Sequence, residues 1–287
     1  MQQKRIERVY KDVEYLTGIR PFRNYQNPSS LEKTAEYIEG VFREHSEFVS
    51  IQSFSVGNQI FKNIIASFNV EEKERIIIGA HYDVAGDTPG ADDNASGVAG
   101  LLEIARLLDE ENPDLKYRVD LVAYPNEEPP FFGTKDMGSY VHASSLYRDK
   151  VPVKIMICLE MIGYFTDKES SQSFPFPFMK YIYPTTGNFI GVVGKLGQKG
   201  ITLKVRDIMR KYSDIPVFSI NAPSFIPGVD YSDHRNYWHF GYKAVMITDT
   251  AFYRNPHYHR RSDTIGTLDF ERLYQVIKGV YNVCLHI

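Results

Sequence analysis

From Ile76 onward the chain alternates short apolar runs of strand length with longer segments of helical period, and no other feature limits its fold as strongly. Ile76-Ile77-Ile78 is apolar without alternation, as in a strand buried on both faces. It is followed by a loop, a helix over Ser96 to Leu108, a strand over Val119 to Tyr124, a helix over Met137 to Leu146 and a strand over Val153 to Leu159. One later helix, a strand at Ala244 to Thr248 and a closing helix from Leu268 complete the order. Upstream, Ser29-Ser30-Leu31-Glu32 has capping-box spacing ahead of Ala35, Ile38, Val41 and Phe42, and two β-rich runs cover Phe48 to Phe54 and Ile60 to Phe68. This order predicts an α/β fold: a single domain over residues 1–287, built as a three-layer αβα sandwich around a mostly parallel, mixed sheet.

In open α/β sheets ligands sit beyond the carboxyl ends of the strands. Polar clusters fall at those ends here: His81 and Asp83 after the first central strand, Glu127 and Glu128 after the next, Glu160 after the third. Residues 166–188 form a long stretch rich in Ser, Pro, Phe and Tyr; it reads as a surface excursion or as an aromatic loop near the active site.

With 43% hydrophobic and 24% charged residues, a chain of 287 can bury a full core. Net charge is −3, the isoelectric point is near 6.3, and Lys and Arg are scattered, which argues against nucleic-acid and anionic-membrane surfaces. The expected partner is a peptide or an amino-acid derivative. Cys158 and Cys284 stand in apolar settings and read as reduced core thiols. The charged, amphipathic N-terminus lacks the apolar stretch of a signal peptide, and no run is long enough to span a bilayer. The expected location is cytoplasmic, although a secreted protein trimmed of its signal reads identically.

Zinc takes nitrogen and oxygen ligands, and a site for two ions needs a carboxylate shared between positions roughly 3.5–4 Å apart. In His81-Tyr82-Asp83 the acid stands two residues beyond the imidazole, where it can hold the second ring nitrogen; an ordinary strand-end histidine has the same spacing. Pro89 to Gly97 places Asp92 and Asp93 in a glycine-containing turn before a helix, and an acidic cap explains one of them better than both. Glu127 and Glu128 at a buried strand end repel unless a cation or shared proton relieves them; on a solvated turn they would not. Glu160 ends a strongly apolar strand and needs a partner, either a metal or a basic side chain. His45, His142 and His286 read as structural or exposed. His234, His239, His257 and His259 cluster late, and spacing alone does not choose among them.

Six motifs in chain order resemble the co-catalytic di-zinc metallopeptidases, the family of bacterial leucyl aminopeptidases, glutamate carboxypeptidases and glutaminyl cyclases. They are His81-x-Asp83, Asp92-Asp93-x-Ala95-Ser96-Gly97, Glu127-Glu128, Glu160-Met161-Ile162-Gly163, Ser232-Asp233-His234, and Tyr258-His259 followed by Asp263-Thr264. The resemblance implies the zinc-exopeptidase fold and two zinc ions, one held by His81, Asp93 and Glu160, the other by Asp93, Glu128 and His259. Asp93 is preferred to Asp92 because the family's bridging residue stands three positions before the Ser. His259 is preferred to His257 because the ligand follows Tyr and precedes the Asp-Thr pair by four. The catalytic set it implies is Glu127 as general base for a metal-bridging water, Asp83 orienting His81 and Tyr258 donating to the oxyanion, with Asp233 and His234 supporting from outside. Two departures stand out. Glu160 replaces the usual Asp, and Pro129-Pro130-Phe131-Phe132 replaces a short glycine-containing turn.

The activity so implied is that of an aminopeptidase; Phe131, Phe132, Tyr164 and Phe174 to Tyr183 read either as the lining of a pocket for an apolar side chain or as plain core. Glutaminyl cyclase chemistry on the same fold and a non-catalytic peptide-binding relative are the alternatives. A carboxypeptidase reading gives Arg254, Arg260 or Arg261 a substrate carboxylate to hold; the alternative is a structural role for them on the loop.

Overall fold

In the computed structural model, which describes residues 2–287, the isoleucine run lies inside an eight-stranded sheet. The strands are β1 (Phe48–Val56), β2 (Gln59–Phe68), β3 (Arg75–His81), β4 (Arg118–Tyr124), β5 (Val153–Leu159), β6 (Ile190–Lys195), β7 (Val217–Ala222) and β8 (Ala244–Thr248). Their spatial order is β1-β2-β4-β3-β5-β8-β6-β7. The pairs β4–β3, β3–β5, β5–β8 and β6–β7 are parallel, whereas β1–β2, β2–β4 and β8–β6 are antiparallel. The mixed, mostly parallel sheet is the one the alternation predicts.

Among the described residues seven helices cover it: α1 (Gln2–Gly18), α2 (Pro28–His45), α3 (Gly97–Glu111), α4 (Gly138–Arg148), α5 (Lys199–Tyr212), α6 (His234–His239) and α7 (Phe270–His286). Successive strand side chains face opposite ways, so Ile76 and Ile78 pack with α1, α2, α3, α5 and α7, while Ile77 packs under α4 and α6. All three are fully buried, each contributing about 1.5–3 kcal/mol of hydrophobic stabilisation. Among the described residues no helix is long and apolar enough to cross a membrane.

Three local expectations are corrected. The capping box does not form: α2 starts two residues earlier, with Asn27 and not Ser29 at its N-cap and Pro28 in its first turn, and Glu32 turns outward to Lys62. Pro is suited to that position because its missing N–H would have no helical partner. Strands β6 and β7 are not legible as strands. Gly191 and Gly194 interrupt the β6 pattern, yet they are what lets the strand close on its neighbours: a Cβ at Gly191 would stand 3.2 Å from the Thr248 carbonyl, and one at Gly194 only 2.1 Å from Thr202 Oγ1. β7 is a half-buried edge strand with a polar middle. Two helices, α5 and the short α6, follow β5 where one was expected before β8.

Candidate metal centre

Because β3, β4, β5 and β8 run parallel, their carboxyl ends meet at one edge. His81 is the last residue of β3, Glu160 follows β5 directly, and Glu127 and Glu128 stand just past β4. Asp93 lies in the irregular turn Ala91–Ser96 that leads into α3, and His259 comes from the loop between β8 and α7.

The structure brings together every proposed ligand. His81 Nε2 lies 3.3 Å from Asp93 Oδ1 and 3.4 Å from Glu160 Oε2. On the other side, His259 Nε2 lies 3.1 Å from Asp93 Oδ2 and 3.3 Å from Glu128 Oε1. Asp93 therefore offers one oxygen to each group. Within each of the two triads, His81–Asp93–Glu160 and Asp93–Glu128–His259, the donor atoms lie within 4.8 Å of one another. His257, the alternative histidine, instead places Nδ1 2.9 Å from Ser262 Oγ.

Asp83 stands beneath this cluster. Its Oδ1 is 3.5 Å from His81 Nδ1, and its carboxylate accepts the backbone N–H groups of Glu127 and Glu128, both at 3.1 Å. It thus ties the β3 end to the β4 end as well as facing the imidazole. Glu127 Oε2 is 4.0 Å from His81 Nε2, beside the triads. Tyr258 stacks on His259 with ring centroids 3.8 Å apart. In the Ser-Asp-His stretch it is Ser232 that touches a proposed ligand, its Oγ donating to Glu160 Oε2 at 2.5 Å. Asp233 is buried beside it, and His234 Nε2 is taken up by the Val229 carbonyl at 2.8 Å.

Charge is badly balanced here. Asp83, Asp92, Asp93, Glu127, Glu128, Glu160, Asp233, Asp249 and Asp263 are all buried, and among the described residues only His81 and His259 make ion-pair contacts with any of them. Burial alone would raise the Asp93 carboxyl, but the imidazoles of His259 and His81 outweigh it and hold the group below the ordinary carboxylate range. Burial and the Asp93 charge push Glu128 up to about 7. Burial, then the charges of Glu128 and Glu160, drives Glu127 well above its usual value against the pull of His81. His81 Nε2 and Glu128 Oε1 are buried with no hydrogen-bond partner. Orphaned donors inside a surplus of carboxylates, with a nitrogen and oxygen set, fit divalent cations of the zinc type.

A family model, peptidase family M28, matches residues 63–284. The chain belongs to peptidase family M28. This M28 metallopeptidase is 47% identical to the uncharacterized protein YfbL of Escherichia coli K12, over 96% of this chain and 86% of that one. It is 25% identical to leucine aminopeptidase 1 of Blastomyces gilchristii over 75% of this chain, and the match spans about half (53%) of that enzyme. Among solved structures, a glutaminyl cyclase of Bacteroides thetaiotaomicron superposes with a TM-score of 0.71 at 20% identity, covering 98% of each chain.

A cavity of about 360 Å³ opens beside the centre of the M28 peptidase, with Glu160 and Tyr258 in its wall. Its apolar lining comes from the aromatic loop (Phe174, Met179, Tyr183), from β6 and β7 (Val193, Phe218) and from Phe252. Phe131, Phe132 and Tyr164 are not part of it. Phe131 packs on Tyr25 and Phe61, Phe132 on Tyr231, and Tyr164 on His257. Arg254 is buried and committed, donating Nε to Gln172 at 2.8 Å and Nη1 to the Phe189 carbonyl at 2.8 Å. Arg261 is exposed and faces Asp87 at 3.5 Å.

Sequence reasoning missed Asp249, Asn255 and Arg23, and it placed Asp263 in a motif without giving it a role. Asp263 accepts the N–H groups of Asp92 (2.9 Å) and Asp93 (3.1 Å), fixing the turn. Asn255 donates to Asp92 at 2.7 Å. Asp249 follows β8 directly, so the strand-end rule that selected Glu160 also pointed to it.

Proposed function

We propose that this protein is a zinc aminopeptidase that uses two ions per chain and releases N-terminal residues with large apolar side chains. One observation carries the reading: two ligand triads share Asp93, with Glu127 beside them and an apolar cavity opening at Glu160. His81, Asp93 and Glu160 would hold one ion, and Asp93, Glu128 and His259 the other. When bound, such ions supply Lewis-acid polarisation of a carbonyl and a lowered pKa for water.

The chain's own groups supply the rest. Glu127 accepts the proton of the attacking water at its carboxylate and returns it to the leaving amine nitrogen. Burial, with the charges of Glu128 and Glu160, raises its affinity for a proton. Asp83 holds His81 and the two glutamate backbones in place. Burial keeps the Tyr258 phenol protonated, so it can donate to the oxygen on which charge develops. The cavity takes the side chain, and among the described residues no Lys or Arg stands in its wall.

Metal quantification combined with hydrolysis of free-amine and N-blocked peptides tests the reading. Two equivalents of zinc and cleavage of free-amine substrates are expected, with Leu and Phe anilides preferred over Asp and Lys anilides. One zinc per chain together with cyclisation of Gln-peptides would replace the peptidase by a glutaminyl cyclase. Metal-free protein at physiological zinc that still binds peptides would favour a non-catalytic relative.

A further inference from the structure

Arg23 lies outside the family-matched residues, in the turn between α1 and α2, yet its side chain reaches the scaffold of the metal centre. It is only 1% exposed. Nε donates to the Tyr82 carbonyl at 2.9 Å, Nη1 to the carbonyls of Pro89 (2.6 Å) and Leu16 (3.1 Å), and Nη2 to that of Gly90 at 2.6 Å. Tyr82 adjoins His81, and Gly90 is the residue before the turn that carries Asp93. The surrounding chain repeats the tie: Val84 N–H donates to the Arg23 carbonyl at 3.1 Å, and Asn24 Nδ2 to the Gly86 carbonyl at 2.6 Å.

A buried guanidinium ordinarily pairs with a carboxylate, because an unpaired buried charge is costly. Here every bond goes to a neutral carbonyl. Burial pulls the group down to about 10, and the charges of Asp263, Asp93 and Asp83 act against that only through space. Gly90 is what admits the guanidinium so close to the turn, since its φ is +59° and a Cβ there would meet the Asp93 carbonyl at 2.3 Å and Arg23 Nη2 at 3.1 Å.

We propose that Arg23 is a positioning residue of the metal centre, holding the His81 strand end and the Asp93 turn in the register that faces both toward the same ions. Its fixed positive charge also offsets part of the carboxylate surplus. The proposal rests on the reading of the two triads as a metal site.

The test titrates zinc into the full metal-free chain by chelator competition, alongside thermal unfolding, for wild type, Arg23→Gln, Arg23→Lys and Arg106→Gln. Arg106 is the structural control, a buried guanidinium bonded to Asp12 at 2.6 and 2.9 Å. Arg23→Gln should bind zinc about 10–100-fold more weakly than wild type, the range for outer partners of a metal site, with Arg23→Lys between. Arg106→Gln should lose thermal stability and keep wild-type affinity. If Arg23→Gln binds zinc as tightly as Arg106→Gln, or if it fails to fold and folded Arg23→Lys binds like wild type, Arg23 is only a staple. Wild-type protein that takes up no zinc would sink the metal site itself, a separate result.

Discussion

Glu127 and Glu128 share a peptide bond but face different imidazoles, and the division of labour between them follows. The chain turns at Asn126, whose φ of +63° lies in the left-handed region that Asn tolerates, and both following N–H groups then point at Asp83. Glu128 is delivered to His259 and Glu127 to the flank of His81. Glu127→Gln keeps shape and ligands while removing the proposed proton acceptor. Turnover should fall by roughly 10² to 10⁴ with zinc content unchanged, read by steady-state kinetics and metal analysis; undiminished turnover would remove Glu127 from the mechanism. Glu160 is longer by a methylene than the usual aspartate, and the Ser232 hydroxyl holds one of its oxygens.

At the scale of elements, the centre depends on how closely α3 approaches the end of β5. Asn94 makes the joint: its Nδ2 donates to the Leu159 carbonyl at 2.8 Å, and its Oδ1 accepts the N–H groups of Gly97 (3.1 Å) and Met161 (3.2 Å). A Cβ at Gly97 would stand 2.4 Å from Asn94 Oδ1 and 2.8 Å from the Leu159 carbonyl, so glycine is required by space. Gly97→Ala should cost about 1–3 kcal/mol in urea unfolding, the range for an overpacked core, and should weaken zinc binding, because Asn94 must move from Glu160's neighbours. Gly40→Ala in α2, where a Cβ meets nothing within 4 Å, should gain roughly 0.5–1 kcal/mol and leave zinc binding alone. If both variants keep full zinc affinity, the joint does not set the centre's geometry.

For the whole molecule, the carboxylate cluster makes stability depend on bound cation. Ligand that binds only the folded state adds about 2.7 kcal/mol at a hundred times its Kd, so chelation should lower Tm and added zinc should restore it; equal Tm values would argue against a preformed site. Acid acts through another group. Burial lowers His142, whose Nδ1 is 2.6 Å from Tyr237 Oη, to about 4 from an ordinary 6.5. Its contribution is full above pH 6.5 and is lost as pH falls toward 4, because the unfolded chain then takes up a proton that the folded one excludes. The stability gap between wild type and His142→Gln should therefore narrow from pH 7 to 4.5 in denaturant titrations, and a constant gap would show that His142 titrates alike in both states. The α/β alternation and the strand-end placement of His81, Glu127, Glu128 and Glu160 were legible in the chain because they follow from local periodicity. Neither the glycine-broken β6 nor the polar edge strand β7 could be read that way, since their fit depends on neighbours distant in sequence. The choice of His259 over His257 came from motif resemblance, and it is the fold that sets His259 beside Asp93 and Glu128 while His257 faces Ser262. Arg23 stayed silent for the same reason: its carbonyl partners Pro89 and Gly90 lie 66 and 67 residues away, and a side chain's role at such a distance exists only once the core has packed.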